Sequence, residues 1–174
     1  MPRIDPSRPF IPVRIAVLTM SDTRSLAEDK SGNTLAEMIR DAGHEVADRA
    51  LVKDDIGQIR AQVESWIADP AIDVVITTGG TGFTGRDVTP EAVKPLFEKE
   101  IDGFSTVFHM LSFQKIETST IQSRACAGLT RGTDESYSRH MSCKAVGISA
   151  VVCYVFAVGG TALLRLLGIS VDAF

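Results

Sequence analysis

The sequence predicts a doubly wound α/β fold on a mostly parallel sheet. Short β-branched runs alternate with stretches of helical apolar spacing, in the order strand–helix–strand–helix–strand. The third run, Asp73–Thr78 (DVVITT), is continuously apolar to β-branched, as in a strand covered on both faces. Polar or glycine-rich segments follow all three runs, where such folds place their ligands.

Val13–Met20 (VRIAVLTM) reads as a buried first strand ending at Ser21-Asp22. A polar loop reaches Lys30, and Ser31–Ala42 then sets Leu35, Met38, Ile39 and Ala42 at helical spacing, closed by Gly43. His44–Val52 is a weaker strand. Asp54 or Asp55 can cap the next helix, whose apolar face is Ile56, Ile59, Val63 and Ile67, with Trp66 beside it. Asp69-Pro70 ends that helix, and Asp73–Thr78 follows as the third strand. Thr89-Pro90-Glu91 starts a helix to about Phe97, with Thr89 expected as cap and Pro90 in the first helical position. Phe104–Phe113 predicts a further helix and Ile121–Ala127 a further strand.

The chain has 174 residues, and its 18 Lys and Arg against 22 Asp and Glu give a net charge of −4. That balance argues against a nucleic-acid binder, which carries a basic stripe. Three cysteines make no disulfide framework and suggest a reducing compartment, here the cytoplasm. His140 and Cys143 have a metal-like spacing, but structural zinc takes four ligands. His44 and His109 sit on apolar patterns and read as packing or surface residues. Residues 1–12 read as an N-terminal arm without a signal-peptide pattern.

Gly80–Gly85 matches G-x-G-x-x-G, but the dinucleotide fingerprint follows a first strand and opens directly into a helix. Here the loop follows the third strand, and no Lys-Ser/Thr of a phosphate-binding loop succeeds it. The segment still offers backbone N–H groups, the hydroxyls of Thr81 and Thr84, a guanidinium and a carboxylate. Such N–H groups make an anion nest. Arg86 can bind phosphate or hold Asp87 in place, and Asp87 can bind Mg²⁺ or accept hydrogen bonds. The plain alternative is a tight turn with a surface Arg–Asp pair.

Ile15–Asp22 (IAVLTMSD), Lys30-Ser31-Gly32, Val52–Asp55, Thr77–Phe104 (TTGGTGFTGRDVTPEAVKPLFEKEIDGF), Met110–Ser112 and Thr118–Leu129 (TSTIQSRACAGL) together resemble one family. It is the molybdenum cofactor biosynthesis protein B/Mog family, which shares its domain with the molybdopterin-binding G domain of gephyrin. Ser7–Pro12 and Gly82–Gly85 look like the B-type members rather than the Mog adenylyltransferases. The resemblance implies a three-layer α/β/α domain over 13–129 that forms homotrimers or homohexamers and binds molybdopterin, a pterin phosphate. Mog-type members transfer AMP from MgATP to that phosphate, so the resemblance makes an adenylyltransferase-like activity an expectation. It implies that Asp87 and Asp54 are the catalytic aspartates, with Asp87 also the metal ligand. It places Ser21, Asp22, Gly79, Gly80, Thr81, Gly82, Arg86 and Glu100 at the ligand.

After Leu129 the likeness ends. Arg131–Cys143 is polar where the family has a strand, and no proline follows Pro95, so the family's Leu-Pro-Gly-Ser-type loop is absent. Ala145–Leu164 then carries 20 residues without a charge, about the length that crosses a bilayer. A frame-altered tail, a divergent folded half-domain and a membrane anchor are the readings of residues 130–174, the anchor being the weakest. The missing loop keeps a non-catalytic pterin-binding or scaffold protein as the alternative function, with a membrane-tethered α/β module behind it.

Overall fold

The computed structural model describes residues 9–22 and 26–130. The tail with Ala145–Leu164, the arm up to residue 8, and the His140–Cys143 pair lie outside them.

Five strands and four helices are described. They are β1 (Arg14–Met20), α1 (Lys30–Asp41), β2 (Glu45–Val52), α2 (Ile56–Ile67), β3 (Val74–Thr78), α3 (Thr89–Val93), β4 (Lys99–Glu100), α4 (Asp102–Ile116) and β5 (Gly128–Leu129). Strands β2, β1 and β3 form a parallel sheet in that order, with β1 in the middle. Six of the seven residues of β1 are buried. Alternation splits its side chains between two cores. Ile15 and Val17, with the adjoining Val13, pack on Leu35 and Ile39 of α1. Ala16, Leu18 and Met20 pack on Ile59, Val63 and Trp66 of α2 and on Ala92 and Val93 of α3. Helices therefore cover both faces of the sheet, and the three-layer expectation holds.

Local signals explain most element ends. Asp55 caps α2 by accepting from the Gln58 backbone N–H, which decides between the two candidate aspartates. Trp66 is buried and donates its indole N–H to Asp48 at 2.9 Å. His44 is buried, and its Nδ1 accepts from the Val13 N–H at 3.2 Å. Its ring fills space beside Phe10, and burial lowers its pKa. His109 is half-buried and bonded at both ring nitrogens.

Three expectations need correction. Thr89 does not cap α3; Val88 holds the cap position, and the Thr89 hydroxyl donates instead to the Gly79 carbonyl at 2.9 Å. The α-helical part ends at Val93 and continues as a 3₁₀ turn over Lys94–Leu96, because Pro95 has no N–H to extend the ladder. Ile121–Ala127 is not a strand. Glu117–Gln122 is a 3₁₀ helix, where short Ser and Thr side chains compete with extended pairing. The strand begins only at Gly128, and β5 pairs antiparallel with β4.

Candidate functional site

In a doubly wound sheet, ligands bind where neighbouring strands send their connections to opposite faces. Here that point lies between β1 and β3. From β1 the chain leads through Ser21-Asp22 to α1 on one face; from β3 it leads through Gly79–Val88 to α3 on the other. The two loops touch. A Cβ on Gly79 would stand 2.9 Å from the Met20 carbonyl oxygen. The loop after β2 joins them, since the Asp54 N–H donates to Asp22 Oδ1 at 3.4 Å.

Gly80 is the pivot of this convergence. Its φ of 60° lies in the left-handed region, and a Cβ there would stand 2.4 Å from Thr89 Oγ1 and 2.7 Å from Asp54 Oδ1. Only glycine allows the backbone to lie this close to both side chains. The Gly80 carbonyl accepts from the Thr89 N–H at 3.0 Å, so the start of α3 is sewn to the loop.

Asp87 is held by its own loop. Its Oδ2 accepts from the Thr84 N–H at 2.9 Å and from the Thr84 hydroxyl at 2.5 Å. The Thr84 hydroxyl bond, aided by the Thr84 and Gly82 N–H groups and the Arg124 charge, holds the Asp87 carboxyl below the usual aspartate range. Asp54 shifts the other way. Burial first, then the facing carboxylates of Asp22 and Asp87, push it up, while Arg86 pulls it down. The two neighbouring carboxyls are thus shifted in opposite directions.

The structure gathers most of the expected site residues. Ser21 directly follows β1, and its N–H donates to the Val52 carbonyl at 2.9 Å. Asp22, Asp54, Gly79, Gly80, Thr81, Gly82 and Asp87 all belong to the contacting loops. Arg86 is exposed, and Asp87 is held by Thr84 rather than by Arg86. Glu100 is not brought into contact with these loops. It is exposed on β4 and pairs with Lys94 at 2.6 Å. No group of three or more His, Cys, Asp or Glu is arranged as a metal site among the described residues.

Sequence reasoning passed over Arg124. Its Nε donates to the Gly82 carbonyl at 2.8 Å, and its other nitrogens reach the Asp87 carbonyl and the Glu91 carboxylate. Its place within the TSTIQSRACAGL stretch was the available signal, but no local pattern couples it to a loop 42 residues away.

Fold and site together define a three-layer α/β domain with a glycine-rich, carboxylate-flanked loop at the β1/β3 switch point. Residues 16–161 match the family model described as "Probable molybdopterin binding domain". The chain belongs to that family. It is 52% identical over 127 residues to molybdenum cofactor biosynthesis protein B of Escherichia coli K12, covering 73% of this chain and 75% of that relative. A crystal structure of a molybdenum cofactor biosynthesis protein B superposes with a TM-score of 0.68 at 36% identity, over 83% of this chain and 97% of that one. The tungsten cofactor synthesizing protein MoaB from Pyrococcus furiosus does so at 0.63 and 29%, over 88% of this chain and 96% of that one. Among the described residues no helix is long and apolar enough to cross a membrane.

Proposed function

We propose that this protein acts in molybdenum cofactor biosynthesis in the cytoplasm, binding molybdopterin at the Gly79–Asp87 loop. The observation that carries this reading is the convergence of Asp22, Asp54, Gly80 and Asp87 at one edge of the sheet. The loop's N–H groups and the exposed Arg86 suit a pterin phosphate, and the carboxylates suit the amine-rich pterin ring.

The same site has the groups for AMP transfer. In that step a pterin phosphate oxygen attacks the α-phosphorus of ATP, the new P–O bond forms, and pyrophosphate leaves with the bonding electrons. Such transfer depends on positioning and charge neutralisation. Asp87 would hold a Mg²⁺ together with the substrate phosphates, since Mg²⁺ is commonly bound through one or two carboxylates and phosphate oxygens. Mg²⁺ supplies charge neutralisation at the phosphates when bound. Arg86 steadies phosphate oxygens, and Asp54 lies beside the same loop. A molybdopterin titration with and without MgATP tests both levels. Saturable binding is expected in each arm, with AMP-molybdopterin and pyrophosphate formed only with MgATP. Binding without product would leave the pterin-binding scaffold, and no binding would remove the proposal.

The homotrimer or homohexamer is part of this reading. Helix α4 has no buried residue, and Val107, Met110 and Phe113 are exposed on it. Burying such side chains in an interface stabilises by about 1.5–3 kcal/mol each. Sedimentation at micromolar concentration is expected to give three or six copies, and Met110→Asp to shift the mass toward one. A wild-type monomer would contradict the assembly.

A further inference from the structure

We propose that Arg124 is a positioning residue that clamps the Gly82–Asp87 loop into its ligand-receiving shape. This rests on the loop being the molybdopterin site. Both ends of the loop are tied to the one residue. The Arg124 backbone N–H donates to the Thr81 carbonyl at 2.9 Å. Its guanidinium donates to the Gly82 carbonyl at 2.8 Å and to the Asp87 carbonyl at 2.5 Å. A third direction of the fork reaches the Glu91 carboxylate at the start of α3, and this bond lowers the Glu91 pKa.

The geometry explains why arginine is used. One planar guanidinium spans two backbone carbonyls and a carboxylate, which the single ammonium of lysine does not do. The two carbonyls are both taken by Arg124, and the loop between them closes on itself through the Asp87 carboxylate, which accepts from the Thr84 N–H and hydroxyl. Arg124 is itself moored. The preceding Ser123 carbonyl lies 2.8 Å from His109 Nε2, and His109 Nδ1 lies 2.6 Å from the Ser105 carbonyl, which ties the clamp to α4. Arg124 is half-buried and, in this role, acts on the ligand only through the loop.

The test is Arg124→Lys in the full chain, read by amide hydrogen exchange without ligand and by molybdopterin titration. Exchange over Gly82–Asp87 should become about tenfold faster, the effect of about one lost hydrogen bond, with β1 unchanged. Molybdopterin affinity should fall by at least roughly tenfold, as for a displaced binding geometry. Asp87→Asn, which alters the ligand contact directly, should weaken binding while leaving loop exchange near wild type. Unchanged exchange in Arg124→Lys, or faster exchange with undiminished binding, would overturn the clamp. If wild-type protein does not bind molybdopterin, the site reading fails, and loop exchange alone decides whether Arg124 clamps the loop. If Arg124→Lys does not fold, Glu91→Gln decides. It removes the charged arm, and loop exchange should rise about threefold, while no change would count against the proposal.

Discussion

Asp87→Asn should lower molybdopterin affinity, or turnover with MgATP, by on the order of 100-fold while the protein stays folded. The residue sits on a loop at the edge of the sheet, and its carboxylate accepts from Thr84 without entering either core. Asparagine can still accept the Thr84 N–H, so stability should change by under about 0.5 kcal/mol, the range of surface substitutions. What is lost is the ionised charge that the Thr84 hydrogen bonds secure. Asp54→Asn should separate function from stability more sharply. The folded state raises the Asp54 pKa, so it binds more protons there than the unfolded chain does. Stability contributed by this site is therefore lost as pH rises through the folded pKa. Asp54→Asn should melt no lower than wild type at pH 7, and the difference should vanish below the unfolded aspartate pKa. Its ligand affinity should fall, though less than for Asp87→Asn. Calorimetry from pH 3 to 8 with a parallel titration checks both. An Asp87→Asn protein that is folded and binds as wild type does would remove Asp87 from the site.

Legibility in the sequence followed the range over which each interaction acts. The apolar runs of β1 and β3 and the helical spacing of α1 and α2 are local patterns, and their strands and helices stand within a residue or two of expectation. The strand ends brought Asp22, Asp54 and the glycine loop together because a doubly wound topology leaves them little choice. Interactions that cross the fold were not legible. Thr89 looks like a cap by its neighbours Pro90 and Glu91, yet its hydroxyl turns back to Gly79 because β3 delivers that carbonyl beside it. The stretch after α4 has strand-like composition, but its Arg124 N–H bonds the Thr81 carbonyl of the loop, so the chain follows the loop rather than the sheet. Glu100 carries no local pattern that links it to a ligand, and in the fold it pairs with Lys94.

Asp29 lies in a stretch whose sequence reads only as a polar loop, yet its substitution should be among the most destabilising in the domain. The residue is 1% exposed. Its Oδ1 accepts from the Gly32 N–H at 2.9 Å, which caps α1. Its Oδ2 accepts from the Thr19 hydroxyl of β1 at 2.7 Å and from Arg49 of β2 at 3.3 Å. Arg49 also donates to Asn33 at 2.7 Å, so one buried carboxylate joins α1 to two strands. Gly32 is required for this approach, since a Cβ there would stand 2.0 Å from Asp29 Oδ2. Replacing Asp29 with alanine removes a helix cap and leaves a largely buried guanidinium without its carboxylate, at a cost of about 3 kcal/mol. For a chain of this size that corresponds to a fall in Tm of roughly 10 °C. Asp29→Asn keeps the cap and the Thr19 bond but loses the ion pair, so it should lie between the two. Thermal unfolding of the three proteins in one buffer is the measurement. Wild-type stability in Asp29→Ala would mean that hydration of Arg49 and Thr19 replaces everything the carboxylate provides, and that α1 is held to the sheet by Leu35 and Ile39 alone.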